Sequence, residues 1–170
     1  IGEMRTAGAA PPAQNEADAL RFAGMLDALE RLPQPNVAIV NGPAMGGAVG
    51  LVACCDIALA SERARFALSE VRLGLVPAMI SPYVIRAIGT RQAHRWFLTG
   101  EAMDAAAAQA AGLVHETADA AGLPALAERI AQALLAGGPR AQAEIKQLLR
   151  HVTGRSGDGD GAIVHAERML

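Results

Sequence analysis

The sequence predicts an α/β first half followed by an all-helical second half. Three observations carry that prediction. A continuous apolar run with β-branched members, Val37 to Val40, passes through Asn41-Gly42 to the pair Gly46-Gly47 and into an unbroken small-apolar segment ending at Cys55. That order reads as a strand covered on both faces, a tight turn and a helix buried all round. Two short apolar segments, 56–60 and 64–68, flank the polar turn Ser61-Glu62-Arg63 and read as strands. Beyond Gly100 the strong periods are helical, and prolines and glycines stand where helices start and stop.

Element by element, Arg5 to Gln14 reads as a loop, because small residues, a glycine and Pro11-Pro12 oppose regular structure. Asn15 is the expected cap of a first helix, with Glu16 and Asp18 in its first turn. Phe22, Met25, Leu26 and Leu29 follow at helical spacing, Asp27 and Arg31 form an i,i+4 pair, and Pro33 and Pro35 end the helix. After the strands described above, Ser81-Pro82 predicts a capped helix that stops at Gly89, and Thr90 to Leu98 a second that ends at Gly100. Asp104 caps an alanine-rich helix ending at Gly112. Residues 113–116 read as extended, and Pro124 to Leu135 and Pro139 to Val152 as two amphipathic helices. Residues 154–161 have the composition of a flexible linker, and 162–170 begin another helix. No internal sequence repeat is visible.

Composition sets the boundaries. A chain of 170 residues can bury the core of one domain, and with 52% hydrophobic but 3% aromatic residues that core must be built from Ala, Leu, Val and Ile. Fifteen basic and 17 acidic residues are interspersed, so no basic stripe points to nucleic acid. No apolar run reaches the roughly 18 residues of a membrane span. The start, Ile1-Gly2-Glu3-Met4-Arg5, has neither an initiator Met nor a signal-peptide pattern, and the chain reads as truncated at both ends. Cys54 and Cys55 read as small buried hydrophobes in a reducing compartment, so a cytoplasmic location is expected. His94, His115, His151 and His165 lack metal-ligand spacing, and no metal site is expected.

The chemistry is concentrated in residues 36–78. Gly46 and Gly47 permit close approach to the backbone and open a helix, whose first N–H groups carry partial positive charge. Such a turn suits a phosphate or a developing oxyanion, and equally suits close helix–strand packing. The spacing fits neither G-x-G-x-x-G nor the P-loop pattern, and Lys146 is the single lysine, so a nucleotide-binding oxidoreductase is disfavoured. Glu70 stands between Leu68 and Leu73, just after a predicted strand. If it is buried, its pKa rises and it can exchange protons near neutrality. Arg72 is expected to neutralise Glu70, Ser69 to orient its loop, Trp96 and Phe97 to pack in the core or a subunit contact, and Asp56 to act as a structural cap.

Together, Asn41-Gly42, Ala44-Met45-Gly46-Gly47, Cys55-Asp56-Ile57, Phe66, Glu70, Leu73-Gly74, Pro77, Thr99-Gly100 and Ala110-Ala111-Gly112-Leu113-Val114 resemble the crotonase (enoyl-CoA hydratase/isomerase) superfamily. The resemblance implies a crotonase-like spiral core of repeated ββα units over 1–115 and a C-terminal helical oligomerisation region over 116–170. It implies an acyl-CoA substrate, no cofactor beyond the coenzyme A of that substrate, no nucleic-acid or membrane partner, and a homotrimer or dimer of trimers. It places one oxyanion-hole N–H on Gly47, with the other donor in a loop before Ile1. It makes Glu70 the proton-transfer group, and Met45, Gly46, Gly50, Pro77 and Ala78 substrate-binding.

One of the family's two hydratase glutamates maps to Gly50, and Ala78 replaces a common glycine. The local sequence is most similar to the methylglutaconyl-CoA hydratase type. The expected activity is therefore hydration of a branched or carboxylated enoyl-CoA. The alternatives are a Δ3,Δ2-enoyl-CoA isomerase using Glu70 alone and a non-catalytic acyl-CoA-binding member.

Overall fold

The structure, a computed structural model, describes residues 11–153. The earlier part of the expected N-terminal loop, the linker over 154–161, the helix over 162–170 and His165 lie outside the described residues.

Helix α1 (Pro12–Arg31) begins earlier than the sequence suggested. Asn15 does not cap it; the Pro11 carbonyl accepts from the N–H groups of Gln14 and Asn15 at 2.9 and 3.1 Å, and Pro12 supplies a preset φ in the first turn. The expected Asp27–Arg31 pair forms at 2.8 Å. Six strands then make two small sheets. Strands β1 (Val37–Val40), β3 (Ile57–Ser61) and β6 (Glu116–Ala118) lie in the order β1-β3-β6, all parallel. Strands β2 (Pro43–Met45), β4 (Arg65–Ala67) and β5 (Ala102–Asp104) form the second sheet, with β2 parallel and β5 antiparallel to β4. Helix α2 (Gly47–Cys54) follows β2, and α3 (Ser81–Thr99) follows β4 after a 3-10 turn, Glu70–Leu73. Two successive β-β-helix units thus wind one after the other, a crotonase-type α/β architecture.

β1 is not the doubly covered strand expected from its apolar run. Among the described strands it pairs only with β3, and Ile39 is 53% exposed. The central position belongs to β3, whose Ala58, Leu59 and Ala60 are fully buried. Nor is α2 buried all round: it starts at Gly47 because residues 43–45 are drawn into β2, and Gly47, Ala48 and Leu51 are only half-buried. Strands β2 and β5 were not anticipated. Pro43 reads as a breaker, yet the first residue of a strand tolerates it. Of residues 113–116, expected to be extended, Leu113 and His115 lie at bends, and the strand is Glu116–Ala118.

The N-terminus of α3 also differs from expectation. Ile80, not Ser81, is the cap residue, and the Ser81 hydroxyl donates to the Ala78 carbonyl at 2.9 Å. Gly89 breaks the helical path as predicted, with φ 73° and ψ 159°. Asp104 caps α4 (Ala105–Ala110), accepting from the Ala107 N–H at 2.8 Å. Helices α5 (Leu123–Leu135) and α6 (Pro139–Val152) close the described chain. The core lies between α1, α2, α3 and the sheets and is made of Ala, Val, Leu and Ile with Phe66, Tyr83 and Trp96.

Candidate active site

Because β2 and β4 are parallel, their C-terminal ends lie together, with Met45 beside Ala67. That common end delivers both expected features of the site. From β2 the chain enters Gly46 at φ 53°, ψ −118°, a conformation essentially reserved for glycine. The Gly46 N–H donates to the Ala67 carbonyl at 2.8 Å, and its own carbonyl accepts from Val49 at 2.9 Å, opening α2. Gly47 is the first residue of that helix, so its N–H has no intrahelical acceptor and sits at the positive end of the dipole. From β4 the chain passes buried Leu68 and Ser69 into the 3-10 turn that starts at Glu70. The turn is fixed by Arg72 N–H to Ser69 carbonyl at 3.1 Å and Leu75 N–H to Glu70 carbonyl at 3.1 Å, and Gly74 leaves it in the left-handed region.

Glu70 is 5% exposed, and its Oε2 has no hydrogen-bond partner among the described residues. Burial raises its pKa, partly opposed by a hydrogen bond from its own backbone N–H, and no charged neighbour contributes. A carboxyl in this state holds a proton more readily than a solvated one and keeps one oxygen free. The expectation that Arg72 neutralises Glu70 fails, because the exposed Arg72 side chain lies against Gly100 and forms no ion pair among the described residues. Ser69 shapes the turn through its backbone carbonyl.

Of the remaining residues singled out in the sequence, Met45 ends β2 and Gly46 and Gly50 lie at and within the start of α2. Met45 is 40% exposed, Gly46 and Gly50 are buried, and Pro77 and Ala78 are half-buried. Pro77 and Ala78 reach the glycine helix through the next residues of their loop: a Cβ added to Gly50 would lie 2.8 Å from Ile80 Cβ. Phe22 of α1 packs similarly against Gly47. Neither contact is legible in the sequence, since both join distant elements.

Trp96 is buried, as expected, and Asp56 has its structural role, accepting from the Asn36 N–H at 2.8 Å. Neither cysteine forms a disulfide; Cys54 is buried and Cys55 half-buried, with burial first and Asp56 second pushing the Cys55 thiol up. No cluster of metal-ligating side chains occurs among the described residues, and no helix there is long and apolar enough to cross a membrane.

Replacing Gly46 by alanine forces a side chain into its φ/ψ region. The expected result is a loss of about 1–3 kcal/mol, read from the urea midpoint. A variant as stable as the wild type would show that the turn relaxes to another path.

The family model described as enoyl-CoA hydratase/isomerase matches residues 3–165. An enoyl-CoA hydratase of Alternaria alternata is 37% identical over 142 residues, 83% of this chain and 48% of that protein. The 2,3-dehydroadipyl-CoA hydratase of Escherichia coli is 36% identical over 123 residues, 72% of this chain and 48% of that protein. The chain thus spans about half the length of the curated relatives it matches. The crystal structure of an enoyl-CoA hydratase from Shewanella pealeana superimposes with a TM-score of 0.85 at 42% identity, over 97% of this chain and 62% of that one. With motifs, family model and fold agreeing over nearly its whole length, the chain belongs to the enoyl-CoA hydratase/isomerase (crotonase) family.

Proposed function

We propose that the protein adds water across the Cα=Cβ bond of a 2-enoyl-CoA thioester. The observation that carries this reading is the buried Glu70 carboxyl with a free Oε2, set at the strand end that also presents the Gly47 N–H. The thioester carbonyl accepts from Gly47, which stabilises the enolate-like charge that develops as the nucleophile adds to Cβ. Glu70 positions the water through its free oxygen, takes the proton it loses and returns a proton to Cα. Met45, Gly46, Gly50, Pro77 and Ala78 line the acyl group. The reaction balances with water alone, and coenzyme A enters as part of the substrate.

The substrate belongs to the branched or carboxylated enoyl-CoAs, of which methylglutaconyl-CoA is one. Support comes from the E. coli relative, whose name gives a carboxylated enoyl-CoA as its substrate, and from Gly50, which offers no second carboxylate. The same single carboxylate favours one rival, transfer of a proton between two carbons of a 3-enoyl-CoA. Incubation with matched 2-enoyl- and 3-enoyl-CoAs separates the two. A 3-hydroxyacyl-CoA product is expected, and double-bond migration without hydration would assign the protein to the isomerases.

Assembly as a homotrimer or dimer of trimers is part of the same reading; the helical region expected from 116 onward starts later, because Glu116–Ala118 is strand β6 of the first sheet, and its described helices are α5 and α6. Ile145, Leu148, Leu149 and Val152 form an exposed stripe at helical spacing on α6, each more than half exposed. Light scattering after size exclusion should give a mass of three or six chains, and replacing Leu148 and Leu149 by serine should reduce it to one. Two cysteines without a disulfide fit a reducing, cytoplasmic setting.

A further inference from the structure

Gly47 and Gly50 stand three residues apart on one face of α2. Side chains are excluded at both positions, but with different firmness. A Cβ on Gly47 would lie 2.9 Å from Phe22 Cζ, the far end of a half-buried ring that can swing aside. A Cβ on Gly50 would lie 2.8 Å from Ile80 Cβ and closer still to its Cγ2. Ile80 cannot swing. It is 2% exposed and caps α3, its carbonyl accepting from Val84 at 3.0 Å, while Ser81 is held to the Pro77 carbonyl at 2.9 Å.

Side chains on a helix tilt toward its N-terminus, so a side chain at 50 would lean toward the turn that offers the Gly47 N–H. Position 50 is thus where α2 could place a second polar group beside the reacting carbonyl, and Ile80 hydrocarbon fills that volume. We infer that Ile80 is a specificity-determining residue: it forms a reciprocal size pair with Gly50 that closes position 50 to any side chain and leaves Glu70 as the single carboxylate at the glycine turn among the described residues. This role rests on the proposed hydration at Glu70. It confines the chemistry to one acceptor for the water.

A double-mutant cycle tests the pair without reference to activity. Gly50→Ala alone should lower the melting temperature by about 5 °C, as overpacking does in a domain of this size. In the Ile80→Ala background the same change should cost less than half as much, because the space has been opened. Equal costs in the two backgrounds overturn the size pair.

A second cycle reads the chemistry, with (E)-2-butenoyl-CoA as the probe. The pH profile of kcat for wild type, Ile80→Ala and the double variant Gly50→Glu/Ile80→Ala should differ in one respect: only the double variant gains an additional ionisation. A profile that the introduced carboxylate does not alter, in a double variant that melts cooperatively, removes residue 50 from the reacting centre and overturns the role given to Ile80. If the size coupling holds but no variant, wild type included, hydrates this or a carboxylated 2-enoyl-CoA, the hydration reading fails and the pair is one of packing alone.

Discussion

Replacing Glu70 by glutamine is expected to lower kcat for enoyl-CoA hydration by about 10²–10⁴-fold, the usual contribution of a positioned general acid–base, with KM changed only a few-fold. Glutamine keeps the size and the carbonyl oxygen of Glu70 and removes the transferable proton, so a collapse in KM would indicate a binding role. Turnover equal to wild type would leave a non-catalytic acyl-CoA-binding member as the better reading. The same variant carries a stability signature. Burial holds the folded pKa of Glu70 above its ordinary value. The unfolded chain therefore releases its proton first as pH rises. Wild-type stability attributable to this group is fully present below the ordinary carboxylate pKa and is lost as pH rises through the folded one. Relative to Glu70→Gln, the wild type should weaken across that window and not below it. Chemical denaturation at a series of pH values measures the difference. Parallel curves would mean that Glu70 is as well solvated in the fold as in the unfolded chain.

This signature could not be read from the sequence, whereas much of the site could. Strand, glycine turn and helix over 37–54 are local events: β-branched residues, Gly46-Gly47 and a small-apolar run each act on their own neighbours in the chain. Asp104 as a cap and Gly89 as a break were legible for the same reason. The burial of Glu70 was not, because it depends on how its turn sits against α3. The place of β1 at the edge of its sheet among the described strands was not, since its apolar pattern is indifferent to how many partners flank it. Strands β2 and β5, three residues each, are too short for a period of two to emerge. Ile80 sits thirty residues from Gly50 within a stretch that reads as a loop, so the contact that closes position 50 exists only in three dimensions. The family resemblance supplied what local pattern could not, the pairing of the glycine turn with Glu70. It did not supply the reason why position 50 is glycine.

Lys146→Met is expected to produce the largest loss of stability. Lys146 is the single lysine of the chain and, among the residues of α6, the buried one, at 8% exposure. Its Nζ lies 2.6 Å from Asp56 Oδ2 and donates to the Gln34 carbonyl at 3.1 Å. Asp56 is tied in turn to the loop before β1, accepting from the Asn36 N–H, while the Asn36 side chain accepts from the Asp56 N–H at 2.7 Å. The large apolar residues of α6 face outward, so among the described residues this ammonium is its one buried attachment. Truncating it leaves the Asp56 charge and the Gln34 carbonyl without their partner. Because Asp56 retains 31% exposure, the loss should be about 2–4 kcal/mol, toward the lower end for breaking a buried pair. Asp56→Asn keeps an acceptor for Asn36 and removes the charge, so in that background Lys146→Met should cost at least 1 kcal/mol less, a coupling of the size typical for groups in contact. Hydrogen exchange locates the effect: amides of α6 should lose protection while those of β3 keep theirs. Uniform loss over both elements would make Lys146 a contributor to global stability, and unchanged protection would shift the anchoring of α6 to its outward apolar stripe and the neighbouring subunits it would meet.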